Sequence, residues 1–293
     1  MSGIDLSVII VSYNTADLIG PCLNALMNQT GCVKEIFVVD NASTDSSADF
    51  ISANFPNIRL FANQKNLGFA AANNQAIPHC RGRYLLFLNP DTVVHQESMA
   101  KAIAYMDANP VIGLAGLHIL NPDGTDQESV SYRYLSQRFT RGELDGLPGK
   151  IASVLGAAMI ASRQAIIAVG GFDEDYFLYG EDEDLCLRLR RHGLEIGFIP
   201  SAFVIHYHGQ SERTTAPEQV WRKKIRAEYL FYRKNYRKET INRIVRAAYW
   251  QARWRILSLT MFMPLVSNKS LSRGKILKYQ AIIDELRKLP RKS

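Results

Sequence analysis

Tyr84-Leu-Leu-Phe-Leu88-Asn89-Pro90-Asp91 decides the fold class of this chain. Five apolar residues in a row, with polar ones directly after them, predict a short strand buried on both faces. Such strands belong to parallel sheets covered by helices, and in open parallel sheets ligands bind at the carboxyl ends of the strands. Asn89 and Asp91 stand at that end.

Working outward, the same pattern repeats. Leu6-Ser-Val-Ile-Ile-Val11 runs into Ser12-Tyr13-Asn14, and Glu35-Ile-Phe-Val-Val39 runs into Asp40-Asn41-Ala42-Ser43-Thr44-Asp45. Ile58-Arg-Leu-Phe61 predicts a third strand. Helical stretches intervene at about Asp17–Asn28, Asp49–Asn54, Gly68–Ile77 and Glu97–Met106. Strands alternating with helices argue for the α/β class with a mostly parallel sheet. Further on, Asn121-Pro-Asp-Gly124 is a turn and Tyr132 to Lys150 a loop rich in Arg and Gly. Gly156–Ala161 returns to the core. Asp182–His192 predicts a short helix closed by Gly193, and Glu195–Ile199 and Ala202–Ile205 predict two further strands.

The chain has 293 residues, 47% hydrophobic and 22% charged, an ordinary globular composition with material for a sizeable core. Its formal charge of +7 hides an asymmetry. Residues 211–293 carry 21 Lys and Arg against 6 Asp and Glu, a net of +15, which leaves −8 on the first 210. The expected organisation is an α/β domain over 1–212, in two halves that meet at about residues 95–96, then a basic helical extension over 213–293. A basic tail on an acidic body points to a phosphate-bearing surface, lipid headgroup or nucleic acid. The tail carries no zinc-finger or other nucleic-acid motif, so no nucleic-acid partner is expected.

Cys22, Cys32, Cys80 and Cys186 show no metal or redox spacing. No signal-peptide pattern precedes the first strand, and no apolar run reaches the roughly 18–20 residues of a spanning helix. A reduced, cytoplasmic setting is expected, with the protein peripheral on the inner membrane face if the tail binds lipid.

Two common nucleotide signatures are missing. The first strand–helix turn offers Ser-Tyr-Asn in place of G-x-G-x-x-G, and no G-x-x-x-x-G-K-[ST] loop occurs. Instead, Val-Val-Asp40-Asn-Ala-Ser-Thr-Asp45, Asn66-Leu-Gly-Phe-Ala-Ala-Ala-Asn73-Asn74, Leu-Asn89-Pro-Asp91-Thr, Gly170-Gly-Phe-Asp-Glu174 and Gly180-Glu-Asp-Glu-Asp184-Leu-Cys-Leu-Arg188 stand in order over about residues 5 to 215. Together they resemble the motifs of glycosyltransferase family 2, and their wording is similar to the bacterial rhamnosyltransferase branch. The resemblance implies a GT-A (nucleotide-diphospho-sugar transferase) fold and an inverting, metal-dependent hexosyl transfer in cell-surface polysaccharide synthesis. The implied donor is a dTDP- or UDP-sugar, with rhamnose from dTDP-rhamnose preferred. The implied acceptor is a glycan or a polyprenyl-linked glycan.

The same resemblance implies roles for single residues. Asn89-Pro90-Asp91 stands where the family has D-x-D, which presents a carboxylate to Mg²⁺ or Mn²⁺ bridging the donor diphosphate. Asn89 is neutral, so Asp91 is the expected metal ligand and Asn89 a ribose or diphosphate contact. Alone, the tripeptide also reads as a plain turn. Asp40 would accept from a uracil or thymine N3–H, although it would equally cap the next helix. Tyr13 would stack on the base, with Ser12 and Asn14 lining the pocket. Lys65 or Asn66 would touch base or ribose, Gly68 would admit close backbone approach, and Asn73 would face the donor. In Glu181-Asp182-Glu183-Asp184, Asp182 would be the base and Glu181 its alternate. Acids in a first helical turn also simply favour the helix dipole, by about 0.3–1 kcal/mol each. Asp184 would face elsewhere, with Leu185 and Leu189 inward. His206 is the expected second metal ligand, with His208 in reserve.

In the tail, Ile241, Val245, Ala248, Ala252, Ile256, Leu259 and Met263 share one helical stripe, with Arg243, Arg246 and Arg253 off it and Trp250 and Trp254 nearby. The stripe suits an interfacial helix, or packing on the catalytic domain or a second subunit in a homodimer. Two other functions compete: a non-catalytic membrane- or nucleic-acid-binding scaffold, and a sugar-1-phosphate nucleotidyltransferase. The second wants a Gly-rich basic N-terminal loop that Ser12-Tyr13-Asn14 does not supply.

Overall fold

The computed structural model describes residues 3–207, 216–263 and 269–288. The chain divides into two compact units: Met1–Tyr134 with Gly146–Phe177 and Glu181–Arg213, and Leu135–Asp145 with Leu178–Gly180 and Thr214–Ser293.

The first unit begins β1 (Leu6–Ser12), α1 (Ile19–Met27), β2 (Lys34–Asp40), α2 (Ser47–Asn54), β3 (Arg59–Ala62), α3 (Phe69–Ala76) and β4 (Tyr84–Leu88). It continues β5 (Thr92–Val94), α4 (Ser98–Ala108), β6 (Ile112–Leu120), β7 (Asp126–Gln127), β8 (Val130–Ser131), β9 (Ser153–Val154), β10 (Ala158–Ser162), α5 (Arg163–Ala168), α6 (Glu181–Arg191) and β11 (Glu195–His206). Its nine-stranded sheet runs β3-β2-β1-β4-β10-β6-β11-β5, with β7 on β6. β8 and β9 pair separately.

The apolar runs serve two cores, one on each sheet face. Val8, Ile10, Leu86 and Leu88 pack with Leu23 and Leu26 of α1 and Met99 of α4. The alternate residues Ile9, Leu85 and Phe87 pack with Ala70 and Ala72 of α3 and Leu185 and Leu189 of α6. This is why the strands read as continuous rather than alternating. Each such side chain contributes about 1.5–3 kcal/mol on burial.

The pairings β1–β2, β2–β3 and β1–β4 are parallel, as the alternation predicts. Beyond β4 the sheet is mixed: β10 runs antiparallel to β4 and β6, and β5 antiparallel to β11, while β6 and β11 are parallel. β6 escapes the sequence pattern. Gly113 and Gly116 dilute its strand signal, and both are there for packing: a Cβ at Gly116 would meet Val154 Cβ at 2.8 Å, and one at Gly113 would meet Leu194 Cδ1 at 2.8 Å. The two predicted late strands form one, because the chain continues through exposed Pro200 and Ser201 with a shift in register between Ile199 and Phe203. The Asn121–Gly124 turn closes the β6–β7 hairpin, Gly124 taking φ +82°. Gly193, one residue beyond His192 just past the end of α6, takes φ +87°, as a glycine at the C′ position does.

The second unit contains α7 (Pro217–Asn235), α8 (Lys238–Phe262) and α9 (Lys269–Lys288). Arg222 and Arg226 of α7 bond Glu285 of α9 at 2.9 and 2.8 Å. Tyr232 stacks on Tyr236, Phe231 meets both rings edge-on, and Tyr236 OH donates to Leu135 O at 2.6 Å. Among the described residues, no helix is long and apolar enough to cross a membrane.

Candidate active site

One edge of the sheet collects the polar residues. Ser12 pairs with Asp40 across β1 and β2, so the ends of those strands stand side by side. β4 lies on the other side of β1 and ends at Leu88, opposite Ile10 and two residues short of the end of β1. β10 enters from the same edge, Ala158 pairing with Leu88, and Asn89 N–H donates to Ala157 O at 2.9 Å. β11 runs in the direction of β4, so His206 also emerges there.

The loops over β1 and β2 are tied by side chains. Asn14 sits at φ +54°; its Oδ1 accepts from Thr44 N–H at 2.8 Å, and its own N–H donates to Ser43 Oγ at 2.9 Å. Ser12 is fully buried, its hydroxyl 2.7 Å from Thr15 Oγ1, while Tyr13 is exposed. Ser12 and Asn14 thus serve the loop framework, and Tyr13 presents the open ring. Asp40 is buried; Oδ2 accepts from Ser43 N–H at 3.0 Å, and Oδ1 accepts no hydrogen bond.

Asn41 does more than the sequence indicates. Its amide donates to Asn66 Oδ1 at 2.9 Å and to Gly68 O at 3.1 Å, and its Oδ1 accepts from Leu67 N–H at 2.9 Å and from Asn63 Nδ2 at 3.2 Å. Asn66 Oδ1 also accepts from Gly68 N–H at 2.9 Å, so Asn66 shapes this turn. Gly68 lies outside the helix at φ +84°, and a Cβ there would meet Phe177 O at 2.5 Å. The close backbone approach expected of Gly68 is therefore to the Phe177 loop, whose carbonyl caps Phe69 N–H at 2.8 Å. Asn73 is buried in α3; its Nδ2 donates to Phe69 O at 2.9 Å, and its Oδ1 accepts no bond.

Asp91 and His206 come together. β5 begins at Thr92 and pairs antiparallel with β11, His206 opposite Thr92. His206 Nε2 then lies 3.3 Å from Asp91 Oδ1, both groups buried. Asp91 Oδ1 accepts no aligned hydrogen bond, while His206 Nδ1 lies 3.1 Å from Gln127 Oε1. A carboxylate and an imidazole facing each other, the imidazole held from behind, are donor groups that could hold a divalent cation. Among the described residues no group of three or more His, Cys, Asp or Glu is placed to hold a metal. Two protein ligands suit Mg²⁺ or Mn²⁺, whose other positions go to water and substrate phosphate. His208 lies outside the described residues. Asn89 is half-buried beside Asp91, its carbonyl accepting from Thr92 Oγ1 at 2.7 Å.

The acidic cluster opens α6. Asp182 Oδ2 accepts from Gly156 N–H at 2.9 Å and Oδ1 from Glu183 N–H at 2.9 Å, so its carboxylate is held at the head of β10. A Cβ at Gly156 would lie 3.3 Å from Asp182 Oδ2, a tight contact that the carboxylate would have to give way to. Glu181 is buried, and its Oε2 accepts no bond. Burial and then the neighbouring Asp182 push the Glu181 carboxyl well above the usual range. Burial also raises Asp182, against the lowering pull of the two amides. Asp184 points away to Arg188 at 2.6 Å, and Arg188 Nη1 holds Val169 O and Gly171 O. Buried Leu185 and Leu189 face inward as expected.

Sequence reasoning missed Gln127, Asn41 and Gly156. Gln127 lies in a two-residue strand without pattern, and Gly156 acts through its backbone. Asn41 had a signal, its place directly after Asp40.

Comparison with known proteins gives the edge its context. The family model described as "Glycosyl transferase family 2" matches residues 7–170, and one described as "N-terminal domain of galactosyltransferase" matches residues 143–210. The N-acetylglucosaminyl-diphospho-decaprenol L-rhamnosyltransferase of Mycobacterium tuberculosis is 26% identical over 236 residues, 70% of this chain and 77% of that protein. The rhamnosyltransferase WbbL of Escherichia coli is 27% identical over 168 residues, 50% of this chain and 63% of its own. The mannosyltransferase PcManGT of Pyrobaculum calidifontis, solved with GDP-Man and Mn²⁺, aligns at a TM-score of 0.61 and 16% identity, over 97% of this chain and 86% of that one. The fold is GT-A, with a C-terminal helical region. A matched model that covers more than half the chain, over the edge where Asp40 and Asp91 stand, makes this protein an enzyme of glycosyl transferase family 2.

Proposed function

We propose that the chain is an inverting, metal-dependent glycosyltransferase of cell-surface glycan synthesis. It moves a sugar, by preference rhamnose from dTDP-rhamnose, to a lipid-linked or glycan acceptor. The supporting observation is a set of buried carboxylate oxygens that accept no aligned hydrogen bond: Asp40 Oδ1 at the end of β2, Asp91 Oδ1 just past β4 and Glu181 Oε2 at the start of α6. Buried polar atoms without partners are costly, by about 1–3 kcal/mol each, and are kept where a ligand completes them.

Asp40 Oδ1 accepts from the N3–H of a thymine or uracil, and exposed Tyr13 lies against the base. Asn73 and Asn89 contact the sugar nucleotide, with Asn66 and Gly68 shaping the turn below it. Asp91 and His206 hold Mg²⁺ or Mn²⁺, which when bound would neutralise the diphosphate as it leaves. Asp182 takes the proton from the acceptor hydroxyl, whose oxygen attacks the anomeric carbon from the face opposite the diphosphate. Glu181, protonated more readily than an ordinary carboxyl, supports Asp182 by keeping a second negative charge out of the pocket.

The mycobacterial relative's name specifies a diphospho-decaprenol acceptor, and a similar acceptor here would bring the enzyme to a membrane surface. A reduced, cytoplasmic setting agrees with four free cysteines. The test is a thermal-shift screen of dTDP- and UDP-sugars with and without Mn²⁺, and then transfer to a prenyl-diphospho-N-acetylglucosamine acceptor. A Mn²⁺-dependent shift with dTDP-rhamnose and formation of its product are expected. Equal shifts without the metal would overturn its assignment, and preference for a UDP-sugar would overturn that of the donor.

A further inference from the structure

The apolar stripe that the sequence offers to a membrane is not the exposed one. Ile241, Val245, Ala248, Ala252, Ile256, Leu259 and Met263 are buried or half-buried within the helical unit. Buried Ile244 of α8 lies with Tyr232 of α7 and Ile282 of α9 around one cavity of about 420 Å³. A second face of α8 stays open. Trp250, Trp254, Leu257 and Met261 are 67, 67, 60 and 63% exposed. Steps of four, three and four residues stack them as one ridge along the helix.

Isolated exposed apolar residues are ordinary, but an unbroken helical ridge with two tryptophans is not. The charge beside it is one-sided. From Thr240 to Met263 the chain carries Arg243, Arg246, Arg253 and Arg255 and no acid. Arg246, Arg253 and Arg255 are exposed. Arg253 lies 5.9 Å from the Tyr249 ring centroid and donates to its hydroxyl at 3.2 Å, while Tyr249 packs edge-on against Trp250. Ridge and cations are thus one connected surface.

We infer that the Trp250–Trp254–Leu257–Met261 ridge of α8 inserts into the headgroup region of an anionic bilayer, with Arg246 and Arg253 on the lipid phosphates. Tryptophan suits that depth, having an apolar ring system and one N–H for the wet side. Arginine lays its stem along the apolar layer and keeps its guanidinium at the phosphates. A second copy of this chain is the poorer occupant. Pairing through the ridge would bring together two helix stretches that each carry four arginines and no acid between Thr240 and Met263. The inference deepens the reading of a membrane-held acceptor, and it places the helix along the surface rather than across the bilayer.

Flotation of the full chain with phosphatidylcholine vesicles, and with vesicles containing phosphatidylglycerol, tests it. The protein is expected to float with the anionic vesicles only, with a blue shift in tryptophan emission. Trp250→Ala with Trp254→Ala is expected to weaken partition about tenfold or more, as loss of two large apolar contacts implies. Melting temperature and Mn²⁺-dependent nucleotide binding should stay unchanged, which excludes misfolding. Failure of the wild type to float, or equal flotation of the double variant, would overturn the inference. So would a concentration-dependent dimer that the double variant abolishes without any flotation. Flotation as expected, with no transfer to a prenyl-linked acceptor, would sink the acceptor assignment alone.

Discussion

Gln127 Oε1 lies 3.1 Å from His206 Nδ1, and the other nitrogen of that ring faces Asp91 Oδ1 at 3.3 Å. A two-residue strand thereby orients an imidazole carried by the last strand of the sheet. If His206 and Asp91 hold the cation, Gln127 sets the tautomer, with Nδ1 protonated toward Gln127 and Nε2 left to bind. Gln127→Leu is expected to weaken Mn²⁺ binding in the presence of nucleotide by about 10–100-fold. Calorimetric titration measures this. Unchanged affinity would remove Gln127 from the site.

Asp91→Ala and His206→Ala should each abolish the Mn²⁺-dependent part of donor binding and leave the fold intact. Thermal melting without ligand checks the second point, and titration of nucleotide with and without Mn²⁺ the first. Donor binding that keeps its metal dependence in Asp91→Ala would overturn the assignment.

Asp182→Asn should lower kcat by about 10²–10⁴, the usual contribution of a general base, while donor affinity persists. Asparagine keeps an acceptor oxygen for only one of the Gly156 and Glu183 amides and turns an NH2 to the other, so thermal melting of the variant checks that the loop holds. Because burial raises Asp182 and Glu181, the wild-type rate should fall with decreasing pH at higher pH than an ordinary carboxylate would dictate. The base must be ionised, so the limb lies on the acid side. A flat acid limb down to the normal carboxylate range would count against it.

Glu181 gives a stability prediction of opposite slope. Its folded-state pKa is raised, so the folded protein holds a proton that the unfolded chain has released. Its contribution to stability is complete below the unfolded pKa and is lost as pH rises through the folded one. Glu181→Gln should therefore raise the melting temperature near and above neutral pH, by about 2–4 °C for each kcal/mol recovered. The gain should vanish in acid. A variant less stable than wild type at every pH would show that the charge is needed in the fold.

Asn41→Ala removes four side-chain bonds to Asn63, Asn66, Leu67 and Gly68. A loss of about 1–3 kcal/mol or more is expected, since buried partners are left unpaired. Denaturant unfolding measures it. Donor affinity should fall with it, because the turn before α3 loses its tie to the end of β2.

The polar ends of β1, β2 and β4 were legible because local pattern specifies them. Apolar runs of five or six residues can lie only in a doubly covered sheet, and a polar residue directly after each run must fall at its carboxyl end. Asp40, Asn89 and Asp91 are placed by that rule. The later half was less legible for equally physical reasons. β6 hides behind glycines that make room for Val154 and Leu194, and no local pattern foretells that β10 enters antiparallel. In the tail, composition and period identified the helix and left open what its apolar stripe meets; the stripe is buried or half-buried, and a second face with Trp250 and Trp254 is exposed.

The sequence by itself determined the α/β class, the parallel first half of the sheet, the carboxylates at its edge and the basic helical tail. All of these depend on periodicity and on the polar residues that terminate each apolar run. Only the tertiary structure decided that Asp91 meets His206, that Gln127 stands behind the ring, that Gly156 holds Asp182, and that Trp250 and Trp254 remain exposed. These depend on register between segments far apart in the chain. Register is set by the packing of whole faces against one another, and no short stretch of sequence contains that information.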